Sequence, residues 1–522
     1  MKPFDASGAF ISPASSDPLR RIAVRGAGSN ILAAAVGLGV QIVSTVVLAR
    51  LLTPADFGLV AMVTTFSLLL SNFVLNGFTE AIIQCETLDR ALASNLFWIN
   101  MAAGVALTFG LSGAGFLLAR LYSNPKVVFV AIGLSLSIVV TSSSVLHLAL
   151  LKRAMLFPAL SMNDIVASVA SVVISVTLAW LGFGYWALIA GTIMRPLSQS
   201  IGAWWMCRWL PGAPRRIQGT LARVRFALSV YGRFAINYCV RNMDNLLVGW
   251  RFGPVALGFY KKAYDLFLLS ASQVVNPVNV VAVSVLSRLD RESREYHRVL
   301  INALSTTAFI GMALGAALTL TGKDVIRLLL GPNWGPAGDI FRLFGPGIGI
   351  MLLYNTHSWI HLSIGTADRW LRWVLVELTV TGLLFLVGLR WGPAGIAAAW
   401  TASFWILTIP ALWYGGKPIG FSVLSAIAAV WRYIVASAVS GVATALLISR
   451  VPLNVPDTNL GAALRIILAS FVFLVLYVGT VSGLHRSFSP VAQLGRLLRD
   501  MVPRGKLGPL TTTAPLKGSA GT

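Results

Sequence analysis

Between Leu228 and Leu286 the chain is apolar enough to cross a bilayer twice, yet it carries charge along both passes. At 100° per residue, Arg233, Asn237, Arg241 and Asp244 fall within about 80° of one another, so the first pass has one polar stripe. After Gly253-Pro254 the second pass repeats the arrangement, with Lys261, Asp265, Ser272, Asn276 and Asn279 within about 60°. Ionisable side chains in a spanning helix cost about 2.5–3.5 kcal/mol each on insertion scales and face a wet or protein-lined interior. Two adjacent stripes therefore point to a shared water-accessible cavity. Its cations (Arg233, Arg241, Lys261, Lys262) outnumber its anions (Asp244, Asp265), which suits an anionic guest. Asn237, Asn245 and Asn276 would supply uncharged hydrogen bonds to the same guest. The structural alternative for each cation is an ion pair, Arg241 with Asp244 at i,i+3 or Lys261 with Asp265 at i,i+4, and Lys261 and Lys262 can also snorkel to an interface.

Other ionisable groups are scattered. Arg195-Pro196 puts a cation beside a helix kink, as a hinge or a cavity residue. Glu80 and Glu377 are candidates to carry a coupling proton, with Arg372 or a backbone amide as their structural partners. His357 and His361 are four apart, a spacing that can seat a metal, but no acid or cysteine nearby supplies a third ligand; a packed or cavity-facing pair is the better reading, and no metal site is expected. Most of the sixteen Trp lie near the ends of apolar runs and read as interfacial anchors, whereas Trp400 and Trp405 lie deeper and can stack on a sugar.

The elements that hold these residues are membrane spans. Of 522 residues 56% are hydrophobic and 11% charged, with a mean hydropathy of +0.78, and apolar runs of 18 or more recur along most of the chain. The spans expected are 29–49, 57–83, 96–119, 127–151, 160–181, 185–206, 228–250, 257–286, 299–321, 343–365, 374–389, 394–414, 434–449 and 466–484. The fold class is thus an all-α polytopic membrane protein with about 14 transmembrane helices. The even count puts both termini on one side. Loops on that side hold 26 Lys and Arg against 10 on the other, which places both ends in the cytoplasm. The net charge of +23 is accounted for by these loops, so no nucleic acid is expected as a partner. Three cysteines, Cys85, Cys207 and Cys239, are too few and too separated for a disulfide framework. Residues 1–28 are polar and basic, without the pattern of a removable signal peptide.

The longest outward segment, Gly322 to Arg342, contains Val325-Ile326-Arg327-Leu328-Leu329-Leu330, which reads as a short interfacial helix. Neither face has room for a folded catalytic domain. A weak internal repeat relates the halves. Pro54-x3-Gly58 matches Pro254-x3-Gly258, Leu146-His147-Leu148 matches Ile360-His361-Leu362, and Phe183-Gly184-Tyr185-Trp186 matches Trp391-Gly392-Pro393-Ala394. The organisation expected is a cytoplasmic segment 1–28, an N-lobe 29–206 of six spans, a basic cytoplasmic loop 207–227 and a C-lobe 228–414 of six spans. A loop and two further spans follow in 415–484, then a cytoplasmic tail, partly disordered, in 485–522. Two parallel six-helix lobes put a substrate site between them. Polar faces on the first two spans (Asn30, Gln41 and Ser44; Asn72, Asn76, Thr79 and Glu80) line the same cleft or bond between helices.

The run Val47-Leu48-Ala49-Arg50-Leu51-Leu52-Thr53-Pro54-Ala55-Asp56-Phe57-Gly58-Leu59 resembles the first hairpin of bacterial polysaccharide transporter proteins. So do Ala81-Ile82-Ile83-Gln84, Arg241-Asn242-Met243-Asp244-Asn245-Leu246-Leu247-Val248-Gly249, Gly258-Phe259-Tyr260-Lys261-Lys262-Ala263-Tyr264 and Leu330-Gly331-Pro332-Asn333-Trp334. These proteins are oligosaccharide flippases of the multidrug/oligosaccharidyl-lipid/polysaccharide exporter superfamily, and the likeness is to the colanic-acid, succinoglycan or xanthan type, over roughly residues 20–415.

The resemblance implies a transporter rather than an enzyme, moving an undecaprenyl-diphosphate-linked oligosaccharide across the bacterial inner membrane, with membrane lipids and polysaccharide polymerase or chain-length machinery as partners. It implies no cofactor, and a coupling ion that is either a proton or sodium. A diphosphate fits the cationic stripe, since Arg or Lys in a wet cleft replaces its water through charge-assisted hydrogen bonds. Arg241 and Arg233 are the first candidates for that contact, then Lys261 and Lys262. The rivals are a multidrug exporter of the same superfamily, which would want an acidic or aromatic cavity, a peptidoglycan-precursor flippase, which shares the chemistry but resembles the 207–258 motifs less, and a membrane polysaccharide polymerase or ligase, which would want a catalytic outer loop.

Overall fold

The structure, a computed structural model, describes residues 1–11, 19–83, 85, 88–215, 220–450, 458–488 and 492. Helices dominate because the apolar runs leave backbone polar groups no partner in lipid other than their own helix. They are α1 (Leu19–Leu51), α2 (Pro54–Ile83), α3 (Arg90–Leu121), α4 (Lys126–Ser142), α5 (Val145–Arg153), α6 (Phe157–Trp180), α7 (Tyr185–Met206), α8 (Thr220–Leu286), α9 (Arg294–Leu330), α10 (Gly335–Ile364), α11 (Ala367–Gly388), α12 (Gly392–Gly416), α13 (Val423–Arg450) and α14 (Asn459–His485). Among the described residues ten helical stretches are long and apolar enough to cross a membrane, one of them (Asp368–Ile419) holding both α11 and α12. The molecule is an all-α multi-pass membrane protein. Helices α7 and α8 are not among those ten; the described part of α8 carries Arg241, Asp244, Arg251, Lys261, Lys262 and Asp265.

Four expected boundaries move. The segment 322–342 is not a loop with a separate interfacial helix: α9 continues through Val325–Leu330 and stops at Gly331, whose φ of 101° takes the chain out of the helix. Only a 3-10 turn, Pro332–Trp334, then separates α9 from α10. The expected span 127–151 is two helices, broken where the Ser143 and Ser144 hydroxyls donate to the carbonyls of Val140 and Thr141. Helices α1 and α8 begin at Leu19 and Thr220, inside segments expected to be cytoplasmic. Residues 1–11 fold into a small bridged turn (Phe4 with Phe10, Ala9 with Asp89), whose terminal amine donates to the Met206 carbonyl at 2.7 Å. Residues 216–219 of the basic loop, 451–457, and the tail past 492 lie outside the described residues.

The turn expected at Gly253-Pro254 is present. Gly253 is the single residue inside α8 with non-helical dihedrals (φ 79°, ψ −176°), dividing it into arms 220–252 and 254–286. The repeat has structural counterparts as well: Gly184 and Gly392, equivalent by sequence, both take positive φ (56° and 72°) immediately before α7 and at the start of α12.

Helices α1–α7 pack as one group, α8–α12 as a second, and α13 and α14 lie on α9. The interface between the groups is built chiefly by α2 against α8. The core of the second group is aromatic, with Tyr260, Tyr264 and Phe267 of α8 meeting Phe344 of α10 and Trp400 of α12.

Candidate functional site

Between the two groups lies a cleft of about 610 Å³. It follows α2 from Phe57 to Leu75, about 27 Å at the helical rise, and is closed by α6, α7 and the second arm of α8. Lys261, Lys262 and Asp265 enter from α8, and Arg195 and Gln199 from α7. Thr64, Ser71 and Asn72 of α2, with Ser171 and Ser175 of α6, add uncharged polar groups. Hydroxyls suit these walls because each can donate to a helix carbonyl and still accept from a guest: Thr64 donates to the Val60 carbonyl of its own helix at 2.8 Å, and Ser171 to the Gly191 carbonyl of α7 at 2.7 Å.

Three cations thus face one carboxylate among the lining residues, each held differently. Lys261 pairs with Asp265 at 2.6 Å, which is the i,i+4 bridge the sequence allows. Arg195 pairs with Asp164 of α6 at 3.2 Å, with both side chains about half exposed. Lys262 lies 4.0 Å above the ring of Phe57, and among the described residues it forms no ion pair. It is the cation of this wall with most to offer an incoming anion.

The expected site divides. Lys261, Lys262, Asp265 and Arg195 are brought together in the cleft. Arg241 is not among the lining residues; it is exposed on the first arm of α8, within electrostatic reach of Tyr354 and His357 of α10. Asp244 is buried; it accepts from the Tyr260 hydroxyl at 2.8 Å and from the Asn245 amide at 2.8 Å, and so ties the two arms of α8 across Gly253. Asn245 is buried beside it. Glu377, on α11, approaches the Tyr354 hydroxyl. The side chains of Arg233, Asn237, Asn276 and Glu80 lie outside the described residues, as do those of Asn30 and Asn76. Trp400 cannot stack on a sugar in the cleft, because it is packed inside the aromatic core, and Trp405 faces away from the cleft. His357 and His361 are both buried; His357 Nδ1 meets the Tyr354 carbonyl at 2.5 Å and His361 Nδ1 meets the Thr366 hydroxyl at 2.9 Å.

One end of the cleft is sealed by a reciprocal crossing. A Cβ on Gly58 would overlap the Pro254 carbonyl oxygen, and a Cβ on Gly258 would overlap the Pro54 carbonyl oxygen. The two Pro-x3-Gly segments are therefore copies of one another in sequence and contact each other about a local two-fold. Trp334, in the turn between α9 and α10, locks the same end. Its indole N–H donates to the Ala49 carbonyl at 2.9 Å, and its ring meets Phe57 and Phe259 edge-on, with centroids 5.5 and 5.9 Å away. Arg50 donates to the Leu328 carbonyl at 3.0 Å. A lighter contact joins the lobes toward the far end, where Tyr231 meets Phe73 edge-on at 4.7 Å and donates to the Leu69 carbonyl at 3.3 Å.

Sequence reasoning missed this latch and the hydroxyls of α6. The four-residue spacing of Ser171 and Ser175 was a usable signal for the hydroxyls. No local signal says that Trp334 reaches a carbonyl 285 residues away.

A family model described as polysaccharide biosynthesis protein matches residues 47–339. The succinoglycan biosynthesis transport protein ExoT of Rhizobium meliloti (strain 1021) is 24% identical over 359 residues, covering 68% of this chain and 72% of that protein. The teichuronic acid biosynthesis protein TuaB of Bacillus subtilis (strain 168) is 23% identical over 327 residues, covering 62% of this chain and 67% of that one. Among solved structures, lipid II flippase MurJ in an inward closed conformation matches with a TM-score of 0.70 over 89% of this chain and 99% of that chain, at 14% identity, so the two share a fold.

Proposed function

We propose that this chain, which belongs to the polysaccharide biosynthesis protein family, carries a lipid-linked oligosaccharide across its membrane by opening a cationic cleft between two lobes to one side and then to the other. The cargo is an undecaprenyl-diphosphate-linked repeat unit, the membrane is the bacterial inner membrane, and both termini are cytoplasmic. The observation that carries this reading is Lys262, held in a hydroxyl-lined cleft by a ring rather than by a carboxylate. A diphosphate arriving there trades hydration for a charge-assisted contact and displaces only a cation–π interaction worth about 0.5–2 kcal/mol. Lys261 and Arg195 are the next contacts, each released from its carboxylate as the cargo binds. Sugars bond to the hydroxyl walls while the polyprenyl chain stays in lipid.

In this reading the close crossing at Gly58 and Gly258 belongs to the state closed on the side of the 331–334 turn, the periplasmic side if loop charge orients the chain. The test replaces the chromosomal gene with variants and measures exported polysaccharide against the amount of protein in the membrane. Lys262→Ala is expected to lower export at least about 10-fold at unchanged membrane level, the scale of one lost charge-assisted bond, and Lys262→Arg to keep most of it. If Lys262→Ala and the combined Arg195→Ala/Lys261→Ala/Lys262→Ala chain both export normally, the cationic-cleft mechanism is wrong.

A further inference from the structure

On the outer face of the second group, away from the cleft, two grooves meet at Arg342. One, of about 740 Å³, runs between α10 and α12 past Leu343, Ala398 and Ile406. The other, of about 400 Å³, runs between α9, α10 and α13. Both are lined by Thr319, Arg342, Pro346 and Trp405, and neither shares a lining residue with the cleft that holds Lys262. Trp405 is the partition between them. It is 41% exposed and is fixed by its indole N–H, which donates to the Pro346 carbonyl at 3.2 Å. The wall that α13 contributes is one helical face of small and apolar residues, Ile434, Ser437, Ala438, Gly441, Val442 and Ala445. A Cβ on Gly441 would meet nothing within 4 Å, so this wall is open.

Arg342 sits seven residues into α10, about 10 Å below the end of the helix at the 331–334 turn. Its stem lies against Gly322 of α9, and its Nε donates to the Thr319 carbonyl at 3.1 Å, which fixes the plane of the guanidinium and leaves its amino groups toward the grooves. Asp339, the carboxylate on the rim, is engaged by Lys323 at 2.6 Å. The charge left at the junction is therefore positive. A cation held below the helix end, on a surface that faces lipid, calls for an anion at headgroup depth.

We infer that this face is a binding site for one anionic glycerophospholipid of the leaflet beside the 331–334 turn, with its phosphodiester on Arg342 and one acyl chain in each groove, straddling Trp405. The two-groove form selects a two-chain lipid. A polyprenyl carrier has a single chain and would fill one groove, leaving the other empty. A guanidinium matches a phosphodiester with two parallel N–H bonds, which a lysine would not.

The test is native mass spectrometry of the purified full-length protein in detergent, titrated with palmitoyl-oleoyl phosphatidylglycerol. One molecule is expected to be retained after the looser lipids are stripped. Arg342→Ala should weaken its binding about 10-fold or more, the scale of a lost bond to a charged group. Gly441→Leu, which fills open space and leaves Arg342 in place, should weaken it comparably. Should Arg342→Ala fail to fold, Gly441→Leu carries the test alone. Equal retention by the wild type and by Gly441→Leu overturns the assignment. So does displacement of the phosphatidylglycerol by undecaprenyl phosphate at lower concentration, which would give the groove to the carrier chain instead.

Discussion

Trp334 is the most economical place to disturb the balance between closed and open lobes. It is 1% exposed, and its contacts divide between the lobes: Phe259 belongs to its own, while Phe57 and the Ala49 carbonyl belong to the other. Opening the lobes on this side breaks only the second set. A net hydrogen bond contributes about 0.5–1.5 kcal/mol and an edge-on ring pair about 0.5–1.5 kcal/mol beyond its area. Removing both shifts the closed-to-open ratio by about 1–3 kcal/mol, or about 5- to 150-fold. Trp334→Phe keeps the ring and loses only the N–H, so its shift is expected at the lower end. The assay places one cysteine in the cleft (Thr64→Cys in a Cys239→Ser background) and measures its labelling by a membrane-impermeant maleimide added on the side of the 331–334 turn. The labelling rate is expected to follow the open population, rising in the order wild type, Trp334→Phe, Trp334→Ala. Unchanged labelling in Trp334→Ala, with the protein still folded in the membrane, would refute the assignment of this turn as the latch. Labelling that rises equally from both sides would refute it too, since that reports loss of structure rather than opening.

The crossing of α2 and α8 makes a second expectation for the same assay. Gly58→Ala and Gly258→Ala should each raise labelling from that side, because each Cβ meets a backbone carbonyl oxygen of the opposite segment, and overpacking of this kind costs about 1–3 kcal/mol. The double variant should be much less than additive, since one splayed crossing relieves both clashes; an additive result would show that the two contacts are independent. Outside the spans, burial pushes the Cys207 thiol up to about 11. The thiolate is the reactive form, so at pH 8 Cys207 is protonated and, being buried, should resist maleimide in the folded protein; fast labelling of Cys207 below pH 9 would contradict its buried position.

Much of the architecture was legible from one sequence, for a physical reason. Lipid removes every partner for the backbone except its own helix, so apolar length alone specifies where helices lie. It also makes a charge within a span too costly to be incidental, which is why the stripe that carries Lys261 and Asp265, with the cation Lys262 beside it, points to a cavity wall; all three line the cleft. The bridge between Lys261 and Asp265 was legible too, because i,i+4 neighbours on one helix meet regardless of the rest of the fold. Boundaries were harder. Val325 to Leu330 read as a separate interfacial helix because periodicity cannot say whether an apolar turn continues the helix before it or begins another.

What the sequence by itself determined was where most of the apolar helices run, their polar faces and the twofold repetition of Pro-x3-Gly, all of them properties of a residue and its near neighbours along the chain. Only the tertiary structure decided which faces look at one another. It put Arg241 outside the wall that holds Lys262, gave Asp244 to Tyr260 rather than to Arg241, and turned two distant glycines into a single crossing. Those outcomes depend on how helices hundreds of residues apart are oriented about their own axes. That orientation is set by shape complementarity summed over the whole interface, which no local window of the chain contains.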